Sequence, residues 1–373
     1  MTESHFDIII VGGGLAGLSC ALHLSKTSKI LVLEKQTYPN HKVCGEYISN
    51  EILPYLKSLG VNPMAHGAKR ITEFEISTTK GKTISSSLPL GGFGISRYAL
   101  DNLLYNHVKD EVEFKFETVS AIHLEDDVFQ VETHSNFKFT ANYVVGAFGK
   151  RSNLDATLGR SFIQKKSNWL AVKAHYHHDF PDNKVALHNF DGGYCGLSQV
   201  ETGAVNACYL TTYASFKHYG NVEFFQLEVL RKNKNLDYFF QNAKPIFEKP
   251  LSISQVSFDK KQAVEDHIFM IGDSAGLIHP LCGNGMAMAI HSAKIFSECY
   301  LNHTNEKLKD RSILEELYVQ SWQHHFAKRL ATGRRIQKLL LHPRLSNIGY
   351  SVARLFPSIV PNIIKRTHGE LVQ

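Results

Sequence analysis

The stretch Phe6–Glu34, FDIIIVGGGLAGLSCALHLSKTSKILVLE, indicates how the chain folds. Asp7–Val11 is a short β-branched run, which is typical of a buried parallel strand. It leads into a turn of the form G-x-G-x-x-G at Gly12–Gly17, and Leu15–Ser25 follows with helical apolar spacing. Ile30–Leu33 is a second apolar run. This order of strand, glycine turn, helix and strand predicts a βαβ unit that binds a dinucleotide.

The glycines of this turn have separate mechanical reasons. Gly12 permits the tight turn, Gly14 lets a pyrophosphate approach the backbone, and Gly17 lets helix and strand pack closely. The helix then presents free N–H groups and a positive dipole end to the phosphates. Glu34 ends the second strand, where a carboxylate can bind both hydroxyls of an adenosine ribose. The predicted binding residues here are Gly12, Gly14, Leu15, Ala16, Gly17, Glu34 and Lys35.

A second stretch, Ile268–Gly276, again reads as a strand and a glycine turn, with Asp273 at the strand end. It is followed by Pro280 and by a helix start at residues 283–286. The two stretches together resemble the signatures of the FAD-dependent hydroxylase and reductase superfamily, which has the para-hydroxybenzoate hydroxylase-like fold, and are closest to geranylgeranyl reductase-like flavoproteins. The resemblance implies that FAD is the cofactor and that Asp273 binds its ribitol chain. It also implies a helix N-terminus facing the flavin pyrimidine edge, formed by Gly283, Asn284, Gly285 and Met286.

The resemblance implies an α/β fold with a three-layer ββα (Rossmann-like) FAD-binding domain, an antiparallel β-sheet substrate domain and a helical C-terminus. We expect the FAD-binding domain to comprise residues 1–65, 95–160 and 262–300. The substrate domain would comprise 66–94 and 161–261, and the helical C-terminal segment 301–373. Within these ranges we expect helices at Tyr47–Leu59, Gly285–Leu301 and Ser312–Leu341, with Pro357 and Pro361 breaking the last apolar stretch.

Three further positions match the family between the two signatures. Lys42-Val43-Cys44-Gly45 is similar to the loop beside the flavin in geranylgeranyl reductase-like proteins, so Lys42, Cys44 and Gly45 are assigned to the cofactor and Cys44 to catalysis. The alternative is a buried structural cysteine. Arg97 resembles the superfamily's flavin-contacting arginine, and the alternative is an exposed arginine at a helix start. Val119 matches a valine whose backbone contacts adenine.

The chain departs from the family pattern at two places. Phe148 stands where the family has an aspartate, beside Lys150 and Arg151. In superfamily hydroxylases NAD(P)H binds transiently around this motif, so we expect NAD(P)H alone to reduce the flavin slowly, with bound substrate or a separate reductase partner required. Gly192–Leu197 lacks the tryptophan and proline of the reductase Y-x-W-x-F-P motif, so the identity of the substrate does not transfer.

Length, composition and cysteine spacing limit the class of protein to which the chain can belong. A length of 373 residues with 43% hydrophobic content is ample for one large domain or two closely packed ones. No run reaches the length of a membrane span, and the acidic N-terminus does not read as a signal peptide. The six cysteines are scattered without a C-x-x-C pair, which favours a reducing cytoplasm. We assign no metal: His175, His177 and His178 invite that interpretation, but no second cluster supplies further ligands.

The net charge of +6 is concentrated near the C-terminus, where nine basic residues and Glu370 alone among acids follow His325. This segment could contact an anionic membrane surface, and a solvated helix is the alternative. We expect no nucleic-acid partner. The leading function is a cytoplasmic FAD-dependent oxidoreductase that reduces double bonds of a lipophilic or aromatic small molecule. The alternatives are an NAD(P)H- and O2-dependent flavin hydroxylase and a flavin-binding electron carrier.

Overall fold

A computed structural model describes residues 4–307, 310–341 and 343–373. It describes the side chains of these residues except those of 281, 339–341 and 343–347. The strands are β1 (His5–Val11), β2 (Ile30–Leu33), β3 (Tyr47–Ser49), β4 (Lys69–Ser77), β5 (Thr83–Gly94), β6 (Glu113–Lys115), β7 (Val119–Glu125), β8 (Val128–Thr133), β9 (Lys138–Gly146), β10 (Trp169–His177), β11 (Lys184–Phe190), β12 (Gly193–Gln199), β13 (Val205–Thr212), β14 (Lys244–Pro245), β15 (Leu251–Ser254), β16 (Val264–Glu265) and β17 (Ile268–Met270). The helices are α1 (Leu15–Leu24), α2 (Leu53–Ser58), α3 (Arg97–Val108), α4 (Asn153–Thr157), α5 (Tyr213–Tyr219), α6 (Val222–Glu228), α7 (Lys234–Asn242), α8 (Gly285–Asn305), α9 (Arg311–Leu341), α10 (Pro343–Leu355) and α11 (Ile359–Thr367).

The first sheet is built around β1 and has the order β16-β17-β9-β1-β2-β6. β1 pairs in parallel with β2 and β9, and β17 adds in parallel to β9. Ile8–Val11 and Ile30–Leu33 are buried throughout, which is typical of parallel strands in an α/β fold, and α1 packs on both strands. The predicted Rossmann-like α/β class is therefore confirmed. Its parallel order brings the ends of β1 and β17 to one edge.

The second sheet has the order β14-β10-β13-β12-β11-β4-β5-β3 and is mainly antiparallel. The predicted helix at Tyr47–Leu59 is wrong over its first half. Residues 47–49 instead form β3, which pairs with residues 92–94 of β5, and α2 begins only at Leu53 after a 3-10 turn. Pairing with β5 outweighs the local helical preference, since strand formation depends on the neighbouring strand.

The C-terminal helices pack on both sheets. The predicted helices at Gly285–Leu301 and Ser312–Leu341 are confirmed as α8 and α9, and α8 lies against α1. Pro357 separates α10 from α11 as expected, but Pro361 lies inside α11. Its position in the first turn explains this, because an N–H there has no intrahelical partner to lose. No helix in the described ranges is both long enough and apolar enough to cross a bilayer.

Candidate functional site

The glycine turn after β1 is closed in a way that only glycine allows. Gly12 has φ +108°, and a Cβ there would lie 2.4 Å from the carbonyl oxygen of Ala147. A Cβ on Gly17 would lie 1.9 Å from the carbonyl oxygen of Gly12. Gly14 differs, because its nearest neighbour would be Arg97 Nη2 at 3.6 Å. Gly12 and Gly17 therefore fix the turn, while Gly14 leaves an open backbone surface.

Glu34 lies under this turn as a buried carboxylate. Its Oε2 accepts a hydrogen bond from the Gly13 N–H at 2.7 Å, and its Oε1 accepts one from the Gln36 N–H at 3.1 Å. A carboxylate has about four lone-pair positions, so it can still accept hydroxyl groups. The next residue, Lys35, has an exposed side chain. Val119, at the start of β7, is buried on the β7–β8 hairpin.

Arg97 contacts the same region from the first turn of α3. It makes a bidentate ion pair with Asp101 at 2.6 and 2.7 Å, and Lys42 Nζ binds the same carboxylate at 3.0 Å. Burial alone would raise the pKa of Asp101, but the charges of Arg97 and Lys42 outweigh it and hold that pKa below its ordinary value. Two cations share one anion here. The net positive charge beside Gly14 suits a phosphate.

The other signature places Asp273 in a 3-10 turn directly after β17. Its carbonyl oxygen accepts a hydrogen bond from Lys261 Nζ at 2.8 Å. Burial lowers the pKa of Lys261 to about 8, against the opposing effect of Asp155 and Asp273. Lys261 therefore holds the backbone of the turn that carries the Asp273 side chain, which the family motif assigns to FAD.

Two helix N-termini open onto the same space. α1 begins after Gly14 and α8 begins after Asn284, and neither has a side-chain hydrogen bond that caps its first turn. The side chain of Asn284 instead donates to the carbonyl oxygen of Thr367 at 3.1 Å and lies near Glu51. Free N–H groups at both helix starts can therefore donate hydrogen bonds to an anion or to a carbonyl edge.

A single cavity of about 510 Å³ joins these features. Of the predicted site residues, its wall contains Gly14, Leu15, Ala16, Cys44, Gly45, Arg97, Asp273, Gly283, Gly285 and Met286. The predicted residues that lie outside its wall are Gly12, Gly17, Glu34, Lys35, Lys42, Val119 and Asn284. Segments far apart in the sequence thus meet around one space.

The cavity includes a further part that the sequence did not indicate, which we call the apolar chamber. It lies between the second sheet and the helices α10 and α11. Its walls include Phe74, Ile84, Leu88, Val185, Leu187, Ala353, Val360 and Ile364. In the sequence, the apolar chamber is indicated only by the apolar stretch before the C-terminus. The sequence does not show which residues that stretch packs against.

A buried charged cluster borders the cavity at Glu46, and no local sequence pattern indicates it. Glu46 has φ +55° and a fully buried side chain. Its carboxylate accepts hydrogen bonds from Lys173 Nζ at 2.5 Å and from the Arg97 N–H at 2.7 Å, and it contacts His175 Nε2 at 2.7 Å. Burial would raise the pKa of Glu46, but the bond to His175 and the charge of Lys173 lower it overall.

The histidines that suggested a metal lie in different environments. His175 is buried against Glu46, whereas His177 is exposed at the end of β10. His41 also approaches, and one ligand atom each of His41, Glu46 and His175 lies within 4.8 Å of the others. Lys173 already compensates the charge of Glu46, so the arrangement is that of a buried ion pair.

Cys44 lies in the wall of the cavity that also contains Gly14 and the residues of the apolar chamber, and its side chain is partly accessible. Asn206 holds its backbone by donating from Nδ2 to the Cys44 carbonyl oxygen at 3.1 Å. We therefore expect Cys44→Ala to lower turnover by at least about tenfold and the unfolding free energy by less than about 1 kcal/mol. Cys208→Ala is the control, since it also removes a thiol near the cavity. Equal turnover in both variants would make Cys44 structural.

The residues present fit FAD. Its pyrophosphate would lie on the open backbone of Gly14 at the start of α1, with Arg97 beside it, and Glu34 would bind the adenosine ribose. Asp273 would hold the ribitol, and the start of α8 would face the pyrimidine edge. The uncapped helix starts in one cavity are the observation that supports this fit.

Comparisons with known proteins agree with this geometry. Residues 5–298 match the family described as FAD binding domain. The digeranylgeranylglycerophospholipid reductase of Methanococcus vannielii is 22% identical, over 91% of this chain and 87% of that protein. The menaquinone reductase of Mycobacterium tuberculosis is 21% identical, over 91% of this chain and 85% of that protein.

Among solved structures, the flavin-dependent brominase Bmp2 superposes with a TM-score of 0.80 at 16% identity, covering 98% of this chain and 93% of that one. At this identity the likeness shows the fold alone. The match over residues 5–298 covers most of the chain, including both signatures and the residues that fit FAD. The chain therefore belongs to the FAD binding domain family and is an FAD-dependent oxidoreductase.

Proposed function

We propose that the protein reduces carbon–carbon double bonds in a lipophilic molecule with a long hydrocarbon chain. The observation that carries this proposal is the apolar chamber, which is continuous with the wall formed by Gly14, Asp273 and Gly285. A chain placed there would bury its hydrocarbon surface against Phe74, Leu88, Ile364 and their neighbours. Burial of apolar surface contributes about 25 cal/mol per Å². The polar end of such a molecule would stay near the cavity mouth.

When bound and reduced, FAD supplies a hydride, and a proton completes the addition of two hydrogen atoms across the double bond. The chain's own contribution is to orient the substrate, exclude water and supply that proton. Cys44 lies in the cavity wall two residues before Glu46, which also lines the cavity. We assign proton delivery to Cys44, with Glu46 and His175 fixing the loop that carries it.

Two relatives of this chain support this choice, because one is named as a digeranylgeranylglycerophospholipid reductase and the other as a menaquinone reductase. The hydroxylase alternative uses the same cofactor and the same cavity, and it requires O2 as a co-reactant. An electron carrier without its own substrate would not require an apolar chamber beside the cofactor site. The chamber therefore supports an enzyme that holds a substrate.

We propose a separate reductase as the source of electrons. Phe148 is half-buried at the end of β9, where hydroxylases of the superfamily have an aspartate, and it offers no hydrogen-bond acceptor on its side chain. Lys150 Nζ is directed inward and donates to the Val43 carbonyl oxygen at 3.0 Å. These contacts leave Arg151 as the exposed cation of this turn.

Filling the apolar chamber tests where the substrate binds. We expect Ala353→Trp to keep FAD but to weaken binding of geranylgeraniol, used as a probe in detergent, by at least about tenfold, or about 1.4 kcal/mol. The Ala353 side chain lies between α10 and the chamber, so an indole there would occupy the space. The measurement is the change of the oxidised flavin spectrum on titration with the probe.

Asn362→Trp is the matched control, because it adds the same ring on the exposed face of α11. The control should bind the probe as the unmodified protein does. Unchanged binding in Ala353→Trp with full flavin occupancy would place the substrate elsewhere. Loss of flavin in Ala353→Trp would show instead that a change in the apolar chamber also disturbs the FAD-binding part of the cavity.

A further inference from the structure

The outer face of α10 and α11 is apolar, although it is exposed. Ile348, Val352 and Leu355 follow one another at helical spacing on one face of α10, and they are 60%, 39% and 74% exposed. Phe356, in the turn between the helices, is 60% exposed, and Ile363 on α11 is 41% exposed. We call these five residues the apolar tip. A cluster of large exposed apolar side chains usually marks a contact surface.

Basic residues flank this apolar tip. Arg354, Lys365 and Arg366 are exposed, and none of them takes part in a salt bridge within the part of the chain that the structure describes. Arg335 and Lys338 are also exposed near the end of α9. Only one acidic residue, Glu370, follows His325 in the sequence. The face therefore combines apolar side chains with unpaired positive charge.

The same two helices form a wall of the apolar chamber. Ala353, Val360 and Ile364 face inward and pack with Leu88 of β5. Val352 and Ile363 belong to the apolar tip and also line the cavity. A single layer of two short helices thus separates the chamber from the outside. Their shared residues mark the line where the chamber approaches the surface.

We propose that the apolar tip inserts into an anionic lipid surface and that the lipophilic substrate enters the chamber between α10 and α11. Interfacial helices with apolar and basic residues bury their apolar face about 5–10 Å into the headgroup boundary, and anionic lipids attract the flanking lysines and arginines. A negatively charged lipid surface matches both features of this face. The entry route rests on the proposed function, whereas the lipid contact does not.

The spread of positive charge around the apolar tip favours a lipid surface over a protein partner. A protein that covered the tip would have to match five apolar side chains and also supply acidic groups at several separate positions. A fluid anionic surface provides both without a fixed arrangement. The positive residues also lie on both sides of the tip in the sequence, before it at residues 335 and 338 and after it at 365 and 366, and residue 354 lies within it.

Vesicle binding tests the contact on the FAD-loaded full chain. At low salt we expect co-sedimentation with vesicles of phosphatidylcholine and phosphatidylglycerol, and at least tenfold weaker binding to phosphatidylcholine alone. The double variant Leu355→Asp/Phe356→Asp should lose at least tenfold in affinity. Phe224→Asp/Leu227→Asp is the matched control, since these residues of α6 are 47% and 49% exposed on another surface. The control should bind as the unmodified protein does.

Fluorescence locates the contact independently of activity. Phe356→Trp should be quenched by vesicles that contain brominated phosphatidylcholine together with phosphatidylglycerol, and Leu227→Trp should not. Three results would overturn the proposal: no binding to anionic vesicles at low salt, equal loss in both aspartate pairs, or unquenched Phe356→Trp. Absence of binding to anionic vesicles would indicate instead that the apolar tip binds a protein. Turnover of a probe in detergent involves no vesicles, so its failure would affect the proposed function alone.

Discussion

Replacing Lys173 by Met is expected to lower the unfolding free energy by about 3–5 kcal/mol, because it leaves a buried carboxylate without its cation. The Lys173 and Glu46 side chains are both fully buried, and their charged atoms lie 2.5 Å apart. Lys173 Nζ also donates to the Lys42 carbonyl oxygen at 3.2 Å, so the ion pair fixes the loop that carries Cys44. Urea unfolding of the FAD-free protein, monitored by tryptophan fluorescence, measures the loss.

Lys184→Met is the control, because Lys184 pairs with Glu75 at 3.3 Å in a partly exposed position. It should cost less than about 1 kcal/mol. The pH dependence gives a second test. The folded pKa of Glu46 is lowered from its ordinary 4.5, so its ion pair stabilises the fold above that pH and ceases to do so as the pH falls through the folded pKa. Equal losses in the two lysine variants would contradict the buried ion pair.

Alanine at two glycines of the same turn is expected to affect different properties, stability at Gly17 and FAD affinity at Gly14. Gly17→Ala should lower the unfolding free energy by at least about 3 kcal/mol, because its Cβ would lie 1.9 Å from the carbonyl oxygen of Gly12. Gly14→Ala should change stability by less than about 0.5 kcal/mol, since its Cβ meets only Arg97 Nη2 at 3.6 Å. That methyl group would nevertheless cover the backbone that the pyrophosphate approaches.

Gly14→Ala should therefore fold normally and bind FAD at least about tenfold more weakly, or by about 1.4 kcal/mol. Titration of the FAD-free protein with FAD, alongside urea unfolding, separates the two effects. Normal FAD affinity in Gly14→Ala would mean that the phosphates lie elsewhere. A large loss of stability in the same variant would mean that Gly14 is needed for the turn itself.

Local patterns predicted the nucleotide-binding part of the fold well. β1, the glycine turn, α1 and β2 are consecutive, so strand burial and glycine spacing report them directly. The strand before Asp273 could be recognised for the same reason. The helix predicted at Tyr47–Leu59 failed because β3 depends on residues 92–94 of β5, a partner distant in the sequence.

The Glu46 cluster and the apolar chamber could not be predicted for a related reason. Lys173 and His175 alternate on β10 and so share a face, but their partner lies more than a hundred residues earlier in the chain. The chamber needs α10 and α11 to pack across β5, which no single stretch specifies. Asn284 shows the same limit, since its side chain binds the Thr367 carbonyl oxygen near the C-terminus.

Anaerobic mixing tests most directly whether the electrons of the flavin reach a double bond held in the apolar chamber. The FAD-loaded protein is reduced with dithionite under nitrogen and mixed with geranylgeraniol in detergent, and the saturated alcohol phytanol is the control. Return of the flavin absorption band without oxygen, together with a product heavier by two hydrogen atoms, is the predicted result with geranylgeraniol only. A flavin that stays reduced until oxygen is admitted, and then yields a hydroxylated product, would contradict the proposal and assign the protein to the hydroxylases.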